Sequence, residues 1–321
     1  MYTDIDIQAS RPRIQVSLNR VGITGITKII SIGAKGKENL FYSQLDLSVD
    51  LNPDQAGVHM SRFSEGIIQT VDEVVKERIM DIESFTYSLA ASVLESQGAL
   101  RSEVMVQAKY PVQKQTPVSR VSTQEIYTLI GIAAARPGRT RGLVGVEAAG
   151  LTACPCAQEM VRAQAQEDLL ARGFSRQEAE DILSIVPLAS HNQRGKGILL
   201  LGTEQKVQAQ DLVTIVETSM SSPVFDLLKR PDEYQVIVAA HRQPRFVEDV
   251  VREMVRQVAI DYPELEDDAF LLAKQFNYEG IHSYDVFAEK YGTLKELRRE
   301  VFLGEHVTWP TSLAVWLDPG N

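Results

Sequence analysis

Apolar and polar residues alternate from Arg13 to Ile32 (RIQVSLNRVGITGITKIISI), a stretch rich in Val, Ile and Thr with Gly in its middle, and this pattern predicts strand, turn, strand. Leu40 to Leu51 alternates again and stops at Asn52-Pro53, where proline ends ladder pairing, so a further strand is expected there. From Ser64 to Leu94 the apolar positions Ile67, Ile68, Val71, Val74, Val75, Ile79 and Ile82 recur at helical spacing, predicting one long amphipathic helix or two in succession. Strand patterning returns at Glu103 to Tyr110 and Ile126 to Ala135.

The second half follows the same outline. Ala157 to Ile185 has helical periodicity interrupted at Gly173, with Ser175 placed to cap a second helix, so a helical hairpin is expected. Gly197 to Gly202 and Phe270 to Phe276 have strand pattern, while Gln208 to Leu228 and Val247 to Ile260 have helical pattern. The expected fold is α+β, with residues 1–150 as a first module and 151–321 as a second that carries a helical insert at 157–190. The duplication is one of pattern, since no residue-level repeat is visible.

At 321 residues the chain can bury one large or two ordinary cores. Its composition, 44% hydrophobic and 24% charged, is that of a globular protein, and no window approaches the roughly 18 apolar residues of a membrane span. The first residues lack the basic and apolar regions of a secretory signal, which makes the cytoplasm the expected compartment. A net charge of −10 argues against a broad nucleic-acid surface but leaves room for a small basic pocket.

The two cysteines, Cys154 and Cys156, form a lone Cys-Pro-Cys, better suited to a reactive or metal-binding thiol than to a disulfide framework. Five histidines are present. His282 follows Glu279 at a spacing that would put both on one face of a helix. His191 opens HNQRGKG, where Arg194 and Lys196 beside glycines suit an anion or a metal neighbourhood, although a capped turn accounts for the same residues almost equally. His59 and Arg62 precede a helix N-terminus, which favours anions, and there too plain capping by Ser61 or Ser64 is an equal alternative. His241 and His306 read as ordinary surface or core residues, and Glu233 and Glu248 lie in charge runs of the kind usually found on solvated faces. A thiolate with two histidines and a carboxylate can complete a divalent-metal site, which points to a metal hydrolase.

Six ordered motifs, HMSRF at 59–63, CPCAQ at 154–158, HNQRG at 191–195, LLKRPDE at 227–233, FVEDVVR at 246–252 and YEGIH at 278–282, resemble the type IB GTP cyclohydrolase family. The resemblance implies tandem tunnelling-fold (T-fold) modules, antiparallel sheets backed by helices, that close into a barrel by association as a homo-oligomer, expected to be a tetramer. It further implies a metal held by Cys154, His191, Glu233 and His282, catalytic roles for Cys154 and Glu279, and a purine anchored by Glu248, with Cys156 the alternative thiol. The triphosphate needs cations, for which the chemistry of Arg62, Arg194 and Lys196 is suited. His59 and Arg62 are expected to bind substrate, either in their own subunit or in a partner's site.

Bacterial members of that family join the CPC and HNQR motifs by a short link, whereas 34 residues, 157–190, intervene here. Such an insert resembles the archaeal, MptA-type branch, which implies iron(II) as metal, with zinc or manganese as substitutes, and 7,8-dihydroneopterin 2′,3′-cyclic phosphate as product. The alternatives are the triphosphate product of the folate route and a non-catalytic purine- or pterin-binding protein. Gly280 and Tyr284 stand where many relatives carry Ser and His.

Overall fold

The alternation of the first fifty residues folds as β1 (Leu18–Ile32) and β2 (Asn39–Leu51), paired antiparallel. The computed structural model describes residues 6–32, 39–77 and 81–317. The turn expected within the first of these stretches is instead a bulge. The register slips between Ile23 and Ile26, Gly25 takes φ 71°, and its N–H and the Thr24 hydroxyl both donate to the Asp46 carboxylate at 2.7 and 2.6 Å. A glycine accepts this left-handed geometry at little cost, so the strand bends without reversing.

The helical stretch divides into α1 (Met60–Glu77) and α2 (Ile82–Gln97), the latter capped by Asp81 and closed by Gly98 at φ 62°. β3 (Ser102–Gln115) and β4 (Ser122–Arg136) complete the order ββααββ. The second half repeats it with additions. β5 (Arg139–Ala153) leads into the hairpin α3 (Pro155–Ala171) and α4 (Arg176–Ile185), then β6 (Asn192–Gly202) and α5 (Ala209–Ser219). A two-residue strand β7 (Ser222–Pro223), α6 (Arg230–Arg242), α7 (Val247–Asp261), β8 (Phe270–Asn277) and β9 (Val286–Thr293) follow. The helix expected over 208–228 stops at Ser219, where two serines and Pro223 lead into β7 against β5, and α6 was not foreseen.

Among the described residues all strands pair antiparallel in one nine-stranded sheet of order β1-β2-β3-β4-β5-β6-β8-β9, with β7 beside β5. The position taken as the boundary between halves, residue 150, falls within β5. One face of the sheet carries α1, α2, α5 and α7 over a core that includes Phe63, Phe85, Leu89, Leu199, Leu212 and Met254. On the other face a smaller cluster, Ile130, Leu143, Leu200 and Phe270, is covered by Trp316 of α8 (Leu313–Leu317). The Trp316 indole donates to Asp268 O at 2.7 Å, and the Arg141 guanidinium lies 4.0 Å from its ring centre.

Candidate active site

β5 ends where proline makes further ladder pairing impossible. Cys154 is the N-cap of α3 and Pro155 its first residue. The Cys154 N–H donates to His191 O at 3.1 Å, and the Ser190 hydroxyl donates to Cys154 O at 2.7 Å. The end of β5 and the start of β6 therefore bring the backbones of Cys154 and His191 together. The Cys154 sulfur accepts the Ala157 N–H at 3.5 Å, at the positive end of α3, whereas Cys156 is exposed in its first turn. One residue into β6 the chain alternates, so that Gln193 returns to the side of His191. Its Oε1 lies 3.2 Å from His191 Nδ1, and its amide nitrogen donates to Glu279 Oε1 at 3.3 Å. Glu279 arrives from the far side because β8 pairs with β6 and Tyr278 N donates to Arg194 O at 3.0 Å.

The helical condition placed on Glu279 and His282 fails. Residues 278–285 form an irregular connection between β8 and β9, and His282 stacks on Tyr284 with ring centres 5.0 Å apart, both exposed. Glu233 lies exposed in the first turn of α6 beside a buried neighbour, Asp232. Burial, which raises a carboxyl pKa, is outweighed at Asp232 by hydrogen bonds from the Ser119 hydroxyl and the backbone N–H groups of Ser119, Val118 and Lys229, which hold its carboxyl well below the usual range. At the other end of α6 His241 is buried, its ring nitrogens 2.9 Å from Ile237 O and 3.1 Å from Ser190 O, as expected of a core histidine. Its contact nonetheless fastens α6 to the segment before His191.

Glu248 stands in the first turn of α7, whose approach is pinned by Arg245 N donating to Ala153 O at 3.0 Å. It opens on a groove of about 560 Å³ that also includes Arg252, Lys290, Glu300 and His306. His306, read as ordinary, lies exposed beside Glu300 at 3.6 Å. Arg194 and Lys196 alternate along β6 to the sheet face opposite α1, α2, α5 and α7, where Lys196 pairs with Glu147 at 3.2 Å.

His59 and Arg62 lie elsewhere. They follow the end of β2, and the pairings Val49 to Ser102, Ser102 to Ala135 and Ala135 to Thr140 put that end beside the start of β5. Cys154 follows the other end of β5, on the order of 40 Å away along the strand. His59 pairs with Asp6 at 3.3 Å and Arg62 donates to Ser96 O at 3.3 Å.

Thus Cys154, His191 and Glu279 adjoin, while Glu233, His282 and Glu248 approach the same end of the sheet from separate elements. Among the described residues no three His, Cys, Asp or Glu side chains gather closely enough to hold a metal ion. A thiol and an imidazole on adjoining strand ends are nonetheless donor chemistry suited to zinc or iron. Gln193 was not singled out by sequence reasoning, although its position two residues after His191 on a strand was the available signal.

A family model described as Type I GTP cyclohydrolase folE2 matches residues 5–288. The chain belongs to this family. It is 38% identical over 304 residues to the GTP cyclohydrolase MptA of Methanothermobacter thermautotrophicus, covering 92% of this chain and 95% of that one. It is 39% identical over 304 residues to the GTP cyclohydrolase MptA of Methanosphaera stadtmanae, at 92% and 97% coverage. In fold, this cyclohydrolase-family chain is similar to solved uricases. A uricase from Arthrobacter globiformis superposes with a TM-score of 0.51 at 8% identity, over 91% of this chain and 96% of that one, and a hyper-thermostable AgUricase mutant gives 0.52 at 8% identity, over 94% and 97%. These are tunnelling-fold proteins, and the antiparallel sheet backed by helices on one face is that fold.

Proposed function

We propose that the chain is a GTP cyclohydrolase of the MptA type, converting GTP to 7,8-dihydroneopterin 2′,3′-cyclic phosphate with release of formate and diphosphate, at the entry to methanopterin-type pterin synthesis. The observation that carries the reading is the backbone hydrogen bond from Cys154 to His191, with Glu279 linked to the His191 ring through the Gln193 amide, in a chain of this family whose relatives are named GTP cyclohydrolase MptA. The 157–190 insert, present here as the α3–α4 hairpin, supports the cyclic-phosphate product over the triphosphate.

Cys154 and His191 would hold a divalent metal, iron(II) by preference, and His282 and Glu233, which reach the same end of the sheet, would complete the set. When bound, that metal supplies Lewis acidity and lowers the pKa of a water toward neutrality. Glu279 moves protons between water and the purine ring nitrogens during ring opening. Glu248 accepts the guanine N1–H and 2-amino hydrogens in parallel, a donor pair adenine lacks. Arg194 and Lys196 meet phosphate oxygens on the sheet face opposite α1, α2, α5 and α7.

The separation of His59 and Arg62 from Cys154 supports a site shared between copies, in which one subunit's α1 N-terminus serves its partner. Within the described residues β1 and β9 are the sheet's edges, and their pairing with a second copy would close a barrel and hide both edges, giving a homo-oligomer, by proposal a tetramer. The repeated ββααββ order supports two modules meeting at the Pro137-Gly138 turn between β4 and β5. No helix among the described residues is long and apolar enough to cross a membrane, and the proposed compartment is the cytoplasm.

The test is an anaerobic assay with GTP and iron(II), then zinc or manganese, following formate and identifying the pterin by mass. Cyclic phosphate is the expected product. Triphosphate would move the chain to the folate-type reaction, and absence of formate with every metal would overturn the cyclohydrolase reading.

A further inference from the structure

Gln193 is 8% exposed and uses both ends of its amide on groups of the candidate site. A carboxylate can only accept hydrogen bonds, so the amide NH2 must be the end that faces Glu279. The Oε1 end is then fixed toward His191, and because a carbonyl oxygen can only accept, His191 Nδ1 must carry the hydrogen. A neutral imidazole with hydrogen on Nδ1 presents its Nε2 lone pair. The backbone leaves the amide little choice of position, because β6 is paired on both sides here: Thr152 of β5 lies opposite Gln193, and Gly195, two residues on, lies opposite Asn277 of β8. A Cβ at Gly195 would come within 2.3 Å of the Gln275 amide nitrogen, so the strand beside Gln193 is also closely packed.

We infer that Gln193 is a positioning residue that sets the Nδ1–H tautomer of His191, aims His191 Nε2 at the metal, and holds the Glu279 carboxylate beside it. The inference rests on the proposed metal role of His191 and the proposed proton-carrying role of Glu279. It goes beyond them in naming the group that ties the two together. No other neutral side chain of this length offers an acceptor to one neighbour and a donor to the other. Asparagine is one methylene shorter and reaches only one of them. Glutamate keeps the acceptor for His191 and sets a second carboxylate against Glu279, while leucine keeps the shape and offers neither.

The experiment compares the full-length protein with Gln193→Leu and Gln193→Glu. The first readout needs neither metal nor substrate: long-range nitrogen–hydrogen NMR correlations of the metal-free protein, with His191→Gln used to assign the His191 ring. The wild type is expected to show the Nδ1–H form, Gln193→Glu to keep it, and Gln193→Leu to shift toward Nε2–H. The second is anaerobic titration with iron(II) and with zinc, in which Gln193→Leu is expected to bind about 10- to 100-fold more weakly, as is usual when the partner of a ligating histidine is removed, and Gln193→Glu close to wild type. The third is GTP turnover with metal saturating, where both variants are expected to lose kcat with KM little changed.

A wild-type His191 in the Nε2–H form, or an unchanged tautomer and metal affinity in Gln193→Leu, would overturn the inference. If Gln193→Leu fails to fold, Gln193→Glu decides: retained tautomer and metal affinity with reduced kcat supports the inference, and unreduced kcat overturns it. If the wild type turns over no GTP, the functional reading fails, while the metal-free tautomer measurement still stands or falls by itself.

Discussion

In the first half α2 lies across β2, β3, β4 and β5 with Phe85, Leu89 and Val93 wholly buried, an apolar contact in which each large side chain contributes about 1.5–3 kcal/mol. In the second half α5 and α7 cover their strands in the same way, but β6 and β8 also bury three amides, Gln193, Gln275 and Asn277, and two elements without counterpart, the α3–α4 hairpin and α6, are added at the end of the sheet where Cys154 and His191 meet. Buried amides cost free energy unless their hydrogen bonds are made; the Gln275 amide nitrogen donates to Phe276 O and Asn277 Oδ1 at 3.1 and 2.9 Å, while its Oε1 has no partner among the described residues. Both halves bury polar side chains, in the first mostly Ser and Thr hydroxyls with Gln97 and Glu125, whereas the second gathers its three buried amides on neighbouring strands at the end where Cys154 and His191 meet.

Substitutions can break this contrast. The largest effect is expected from Cys154→Ala or His191→Ala, which should abolish metal uptake and formate release while leaving the unfolding midpoint near that of the metal-free protein. Glu279→Gln should keep the metal and lower kcat by about 10²–10⁴-fold, measured as formate release at saturating GTP. Phe85→Ala should do the reverse, costing about 3–5 kcal/mol in denaturant unfolding with turnover per folded molecule unchanged. A stability change with no catalytic change in the second-half variants would erase the distinction.

Two smaller effects sharpen it. The folded Asp232 carboxyl is held low by its four hydrogen bonds, so it contributes stability that is present above about pH 4 and is lost as pH falls further through its folded titration range. Asp232→Asn should flatten that acid limb, followed by acid unfolding, and should weaken metal binding if α6 carries a ligand. Ser175→Ala removes the N-cap of α4, whose hydroxyl and Glu178 form a reciprocal pair, and should cost about 1 kcal/mol at most within the exposed hairpin, with unchanged kcat.

Much of the sheet was legible because β2, β3 and β4 alternate in polarity as half-covered strands do. β5 was missed because Gly142, Gly145, Ala148, Ala149 and Gly150 leave it little β-branched bulk, and its buried faces are filled by neighbours instead. The bulge at Gly25 was misread because glycine marks turns and bulges alike. Ser175 was legible since a cap is a local bond. The nearness of Cys154 and His191 was not, because it depends on the pairing of β5 with β6 across an intervening hairpin, and local periodicity carries no information about which strands become neighbours. The family motifs marked these residues without saying how they meet.

The tip of the β3–β4 hairpin has a wider consequence. It belongs to the first half, yet Val118 and Ser119 grip Asp232, and Lys114 and Tyr127 both bind Glu217, at 2.7 and 2.8 Å. The candidate site's end of the second half is therefore held partly by the first. Cutting the chain at the turn between β4 and β5 would yield complementary fragments that recover activity only on reassociation, and inherited loss-of-function changes at 114–121 would masquerade as remote surface variants. A gene segment encoding the second half alone would be a poor unit for recombination, because each half leaves polar groups that the other must satisfy.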